Sequence, residues 1–163
     1  MWCFGVPMFN SFEPQVLFQE VPDHISLCFT ITGCPLRCKG CHSKDTWPSS
    51  AGTHLSDDRF NHYLNQYSQY VSCVLFFGGE WCLEALCSKL KKARESGMST
   101  CLYTGLNDVP DTLKSLLTYI KTGPYIRTLG GLENPNTNQR FIELANGQVL
   151  NIKFQESSLN ATT

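Results

Sequence analysis

The sequence predicts an α/β domain: a small, open, partial (β/α) barrel with a mostly parallel sheet and a C-terminal β-hairpin. Three observations predict it. Strand-like and helix-like segments alternate about three times, which favours a parallel sheet with crossover helices. Val71 to Phe77 is a near-continuous apolar run, as expected of a strand buried on both faces. The chain has 163 residues, too few for a full eight-stranded barrel of roughly 200–250 residues.

The elements follow in order. Residues 1–15 read as a loose N-terminus, followed by a short strand over Val16–Phe18. His24–Ile31 is rich in Ile, Leu, Phe and Thr and reads as a strand that stops at Thr32-Gly33. Residues 42–54 read as a loop. Ser56 is placed to cap a helix whose first turn carries Asp57 and Asp58. Phe60, Tyr63, Leu64 and Tyr67 share one face of that helix. A second helix spans about Leu83 to Ser96, with Leu83, Leu86, Cys87 and Leu90 as its buried stripe and Gly97 as its stop. Thr100–Tyr103 is the third main strand. A helix beginning near Pro110 runs to about Leu117, and Tyr119–Lys121 is the fourth main strand. Residues 127–139 read as a long loop. Arg140–Leu144 and Gln148–Phe154 form a hairpin around Ala145-Asn146-Gly147. Residues 155–163 read as a frayed tail, and the whole chain as one domain.

Composition narrows the function. The chain is 42% hydrophobic and 17% charged, with a formal net charge of −1. That balance gives no electrostatic reason to expect nucleic acid or an anionic membrane as partner. No run of about 18 uncharged apolar residues predicts a membrane span. Nine cysteines stand at 3, 28, 34, 38, 41, 73, 82, 87 and 101, and an odd number cannot all pair within one chain. No secretory leader is read at the start, so the expected setting is the cytoplasm, where clustered cysteines signal metal or catalysis.

The chemistry concentrates in Gly33-Cys34-Pro35-Leu36-Arg37-Cys38-Lys39-Gly40-Cys41-His42. Cys34, Cys38 and Cys41 put three soft thiolates within eight residues. A [4Fe–4S] cluster ordinarily takes four cysteines, so three leave one iron open to a substrate. Two alternatives stay open on the motif alone. Zinc in a Cys3His site with His42 is one, although His42 directly follows Cys41. A closed cluster completed by Cys28 or Cys73 is the other. Either would make the chain a non-catalytic zinc or iron–sulfur redox module. The remaining cysteines read as small buried hydrophobes, except Cys3, which has no assigned role.

Cys-x3-Cys-x2-Cys after one strand and Gly78-Gly79-Glu80 after the next resemble the radical S-adenosylmethionine superfamily. Residues 16–154 further resemble the anaerobic ribonucleoside-triphosphate reductase activating proteins. The matching stretches are Ile31-Thr32-Gly33-Cys34, Cys41-His42 with Thr46-Trp47, Phe77-Gly78-Gly79-Glu80, Tyr103-Thr104-Gly105 and Asn138-Gln139-Arg140. The resemblance implies that Cys34, Cys38 and Cys41 hold the cluster. It implies that Gly40, Cys41, His42, Gly78, Gly79, Glu80, Tyr103 and Thr104 contact S-adenosylmethionine, with the Gly-Gly-Glu segment at the methionyl amine. Asn138, Gln139 and Arg140 are assigned to cofactor or partner. No catalytic side chain is expected beyond cluster and cofactor. The implied reaction passes one electron to the sulfonium and yields a 5′-deoxyadenosyl radical, which takes a hydrogen from a glycine of the large reductase subunit. A low-potential donor such as a flavodoxin would supply the electron. Two departures stand out. Gly40 occupies a position often aromatic in the superfamily, and Thr118-Tyr119 stand where the activating proteins often carry an acid.

Overall fold

The computed structural model describes residues 8–160. The first seven residues of the N-terminal stretch read as loose, Cys3 among them, and the last three residues of the tail lie outside the described residues. The elements are β1 (Asn10–Ser11), β2 (Gln15–Leu17), β3 (Ser26–Thr30), β4 (Thr53–His54), α1 (Asp57–Tyr67), β5 (Cys73–Phe77), α2 (Leu83–Glu95), β6 (Ser99–Tyr103), α3 (Asp111–Lys114), β7 (Tyr119–Thr122), β8 (Arg140–Glu143), β9 (Gln148–Val149) and α4 (Ile152–Asn160). β1 and β4 form a small ribbon of their own.

The main sheet runs β2-β3-β5-β6-β7-β8-β9. Its central strands β3, β5, β6 and β7 are parallel, and every outer pairing is antiparallel. This is the α/β arrangement with a mostly parallel central sheet that the sequence predicts. Register matters most for function. Thr30, Phe77, Tyr103 and Lys121 are neighbours across the four parallel strands. The glycine-marked strand ends therefore come out level along one sheet edge.

The period-2 alternation of strands divides the core. One face carries Leu27, Phe29, Val74, Phe76, Leu102 and Ile120 against the helices. α1 delivers Phe60 and Leu64 as its periodicity requires, and Ser56 Oγ accepts from Arg59 N at 3.1 Å as the cap. α2 buries Ala85, Leu86, Lys89, Leu90 and Ala93. Leu83 and Cys87 of the expected stripe are only partly buried, and Lys89 is 3% exposed because Asp57 of α1 binds its ammonium at 3.2 Å. The other face carries Cys28, Cys73, Leu75 and Cys101 beneath Phe141, Leu132 and Leu150. These cysteines are fully packed hydrophobes, as read.

Several segments depart from the reading. Asn10–Ser11 of the stretch read as loose pairs with Thr53–His54 at the end of the stretch read as a loop, so both are anchored as short strands. The helix from Pro110 stops at Lys114 rather than Leu117. Leu116 and Leu117 turn on i→i−3 bonds, and Thr118 is drawn into pairing with Thr100 through both backbone and hydroxyl. The hairpin is shorter than read, and residues 152–160 are helical, not strand and frayed tail. Asn151 causes the switch. Its Oδ1 accepts from Phe141 N and its Nδ2 donates to Gln139 O, so the side chain ends the ladder. α4 then lays Phe154 on Phe141, ring centres 5.1 Å apart. No helix among the described residues is long and apolar enough to cross a membrane.

Candidate cluster and cofactor site

The cysteine loop leaves β3 and is tied at its base. Gly33 N and Cys34 N both donate to Thr46 O, at 2.7 and 3.4 Å. Thr46 Oγ1 donates to Ser43 O at 2.6 Å and closes the 3-10 turn of Lys44–Thr46. Between these anchors the chain turns sharply. Arg37 takes φ +48°, rare for a residue with a side chain. Cys41 N donates to Cys38 O, and Cys41 Sγ accepts from Ser43 N at 3.3 Å. Burial raises the Cys34 thiol above its ordinary value, against the backbone N–H groups of Leu36 and Arg37, which favour the thiolate. Such donors suit a sulfur that carries charge on a metal.

Among the described residues, no three His, Cys, Asp or Glu side chains are gathered around the position of a single ion. His42, the fourth ligand of the zinc alternative, is turned edge-on to Tyr125, ring centres 5.2 Å apart. Gly40 is exposed and nothing surrounds the position of a side chain there.

The next strand end is built around Trp81, which sequence reasoning missed. Gly78 has φ +78°, and a Cβ there would lie 2.5 Å from the Trp81 ring. The indole Nε1 also lies 3.6 Å from a Cβ placed on Gly33. The two glycines thus let one indole wedge between the ends of β3 and β5. Glu80 follows. Its Oε1 accepts from Thr104 Oγ1 at 2.6 Å, while its Oε2 is buried without a hydrogen-bond partner. Burial raises the Glu80 carboxyl, and the Thr104 bond and the Lys121 charge oppose that rise.

Lys121 is the other residue missed. It is 9% exposed, and its ammonium donates to Thr104 O at 3.2 Å and Gly123 O at 3.1 Å. Desolvation lowers it to about 8, against the pull of Cys38 and Glu80. A charged residue in a strand otherwise buried on both faces was the available signal. Cys34, Cys38, Glu80 and Lys121 thus lie within electrostatic reach of one another.

The structure separates the other expected residues. Thr104 belongs to the site through Glu80. Tyr103 faces the opposite side and donates to Glu20 O. Asn138 Nδ2 donates to Pro124 O at 3.0 Å, and its Oδ1 is buried without a partner. Gln139 is buried along a groove, and Arg140 is exposed. That groove, about 930 Å³, runs over the sheet face opposite α1 and α2, between α4, residues 18–23 and the 131–133 loop, with Tyr103 at its wall. Trp47 is half-buried, with Arg37 and Lys44 at 5.7 and 5.9 Å from its ring centre.

These residues fit an iron–sulfur centre with a cationic ligand beside it. The thiols are soft donors on an accessible loop. The orphaned Glu80 oxygen is an acceptor that lacks only a donor.

Comparison with known proteins agrees. Residues 25–121 match the family described as 4Fe-4S single cluster domain. Over 78 residues the chain is 36% identical to the pyruvate formate-lyase-activating enzyme of Clostridium pasteurianum, an overlap of 44% of this chain and 33% of that protein. The chain therefore spans about a third of the length of that curated relative. The crystal structure of QueE from Escherichia coli superposes with TM-score 0.52 at 17% identity, over 63% of this chain and 55% of that one. At that identity the likeness speaks for the fold. The family match supports a [4Fe–4S] cluster as a cofactor of this chain.

Proposed function

The chain belongs to the 4Fe-4S single cluster domain family, and from that membership we propose that it is a radical S-adenosylmethionine activase that makes a glycyl radical on the anaerobic ribonucleoside-triphosphate reductase. One observation carries the reading: a buried carboxylate oxygen of Glu80 without a partner, at the strand end beside the cysteine loop. When bound, the cluster would deliver one electron to the sulfonium of S-adenosylmethionine and so release a carbon-centred radical.

The chain's own residues set the conditions for that step. Cys34, Cys38 and Cys41 would hold the cluster. Glu80 accepts from the methionyl ammonium, with Thr104 fixing the rotamer of its carboxylate. Gly78 and Gly79 bring the backbone close. Lys121 supplies a positive charge next to Cys38, which favours the reduced cluster. The exposed cations Arg37, Lys39 and Lys44 beside the cluster loop suit docking of an acidic one-electron donor such as a flavodoxin.

The choice of partner rests on the resemblance through Tyr103-Thr104-Gly105 and Asn138-Gln139-Arg140. A second reading, a formate-lyase-type partner, is favoured by the 36% identity to the pyruvate formate-lyase-activating enzyme. The reduced, reconstituted chain is mixed with S-adenosylmethionine and with each candidate partner, and the glycyl radical is sought by electron paramagnetic resonance. The proposal expects the signal on the reductase subunit. A signal on pyruvate formate-lyase alone overturns the choice of partner; cofactor cleavage with neither signal overturns the activase reading.

A further inference from the structure

Two buried acceptors at this edge of the sheet lack donors: Glu80 Oε2 and Asn138 Oδ1. Leaving such an atom unmatched costs about 1–3 kcal/mol, so each marks a place where a donor belongs. The Asn138 amide cannot simply turn to find one. Its Nδ2 is committed to Pro124 O at 3.0 Å, which fixes the direction of Oδ1. Close approach is also arranged for it. Gly123 has φ +96°, and a Cβ there would lie 3.2 Å from Asn138 O and 3.3 Å from Nδ2.

The two orphans are the ends of one polar belt. Glu80 is held by Thr104 Oγ1. Lys121 Nζ bridges Thr104 O and Gly123 O. Gly123 packs on Asn138. The belt crosses from the end of β5 to the start of β8, three strand spacings of about 4.8 Å, on the order of 14 Å. A ligand that satisfies both ends is elongated and donates at each end.

We propose that Asn138 binds the adenosyl half of S-adenosylmethionine, its Oδ1 accepting from an N–H or O–H of that half while Glu80 takes the methionyl ammonium. This rests on the cofactor reading above and gives Asn138 a role separate from those of Gln139 and Arg140. It also supplies a side-chain contact to the adenosyl half, where Gly40 offers backbone alone.

The test is binding, not turnover. Equilibrium dialysis on the anaerobically reconstituted protein measures S-adenosylmethionine, methionine and 5′-deoxyadenosine separately. Asn138→Leu is expected to weaken S-adenosylmethionine and 5′-deoxyadenosine by about tenfold or more and to leave methionine unchanged. Asn138→Asp keeps an acceptor and is expected to retain more of the affinity than Asn138→Leu. Ligand-side deletions identify the donor on the wild-type chain without disturbing its fold. 5′-Deoxyinosine lacks the exocyclic amine; 2′,5′- and 3′,5′-dideoxyadenosine each lack one ribose hydroxyl. One of the three is expected to lose about tenfold. The proposal is overturned if all three bind the wild type as well as 5′-deoxyadenosine does, or if Asn138→Leu weakens methionine equally. A wild type that loads iron yet binds neither S-adenosylmethionine nor methionine overturns the cofactor reading, and with it this proposal.

Discussion

Replacing Gly78 by alanine tests whether Trp81 forms the wall between the cluster loop and the Gly-Gly-Glu segment. Two costs add at this position. A side chain at φ +78° costs about 1–2 kcal/mol from backbone sterics. The new Cβ would also meet the indole at 2.5 and 2.9 Å, far inside contact distance, and overpacking of that kind costs about 1–3 kcal/mol. Gly97 provides the reference, because it has φ +80° and nothing within 4 Å of a Cβ. Gly97→Ala should therefore cost about 1 kcal/mol and Gly78→Ala about 3 kcal/mol in urea unfolding. In a Trp81→Ala background the excess should vanish, leaving Gly78→Ala near the Gly97→Ala value. Equal costs for Gly78→Ala and Gly97→Ala in the wild-type background would refute the packing described for Trp81.

Other consequences follow from the two buried lysines. Asp57→Ala should destabilise by about 1–2 kcal/mol in urea unfolding, because it strands the Lys89 ammonium while the half-exposed carboxylate keeps the pair's own worth small. Lys89→Met should be neutral or stabilising, and a loss like that of Asp57→Ala would contradict this account. Lys121 makes stability depend on pH in a defined direction. Between about 8 and the ordinary lysine value of 10.5 the unfolded chain holds the proton more often than the folded chain, so stability rises with pH across that window. In the cluster-free protein the wild type should gain up to about 3 kcal/mol over Lys121→Met between these limits, and a flat difference would show that Lys121 is not desolvated.

Much of the site was legible because its signals are local. Three cysteines in eight residues need no tertiary knowledge, and each glycine-marked strand end announces itself by a break in an apolar run. The parallel strands were legible for the same reason, as was the Ser56 cap. What escaped depends on distant partners. Lys89 and Lys121 look like surface residues until Asp57 and the strand-end carbonyls are placed around them. Residues 150–154 alternate like a strand, yet the Asn151 amide terminates the ladder and α4 follows. The motif Asn138-Gln139-Arg140 reads as a unit but sends its side chains to the Pro124 carbonyl, the groove and solvent respectively.

The central claim is an iron–sulfur cube held by three thiolates with one iron left for an outside ligand. Electron paramagnetic resonance of the reduced, anaerobically reconstituted protein tests it, recorded before and after S-adenosylmethionine is added and paired with iron analysis of Cys38→Ala. The account predicts about four irons per chain, g-values that shift when S-adenosylmethionine is added, and loss of the cluster in Cys38→Ala. A spectrum that ignores S-adenosylmethionine, or a cluster that survives Cys38→Ala, would contradict it.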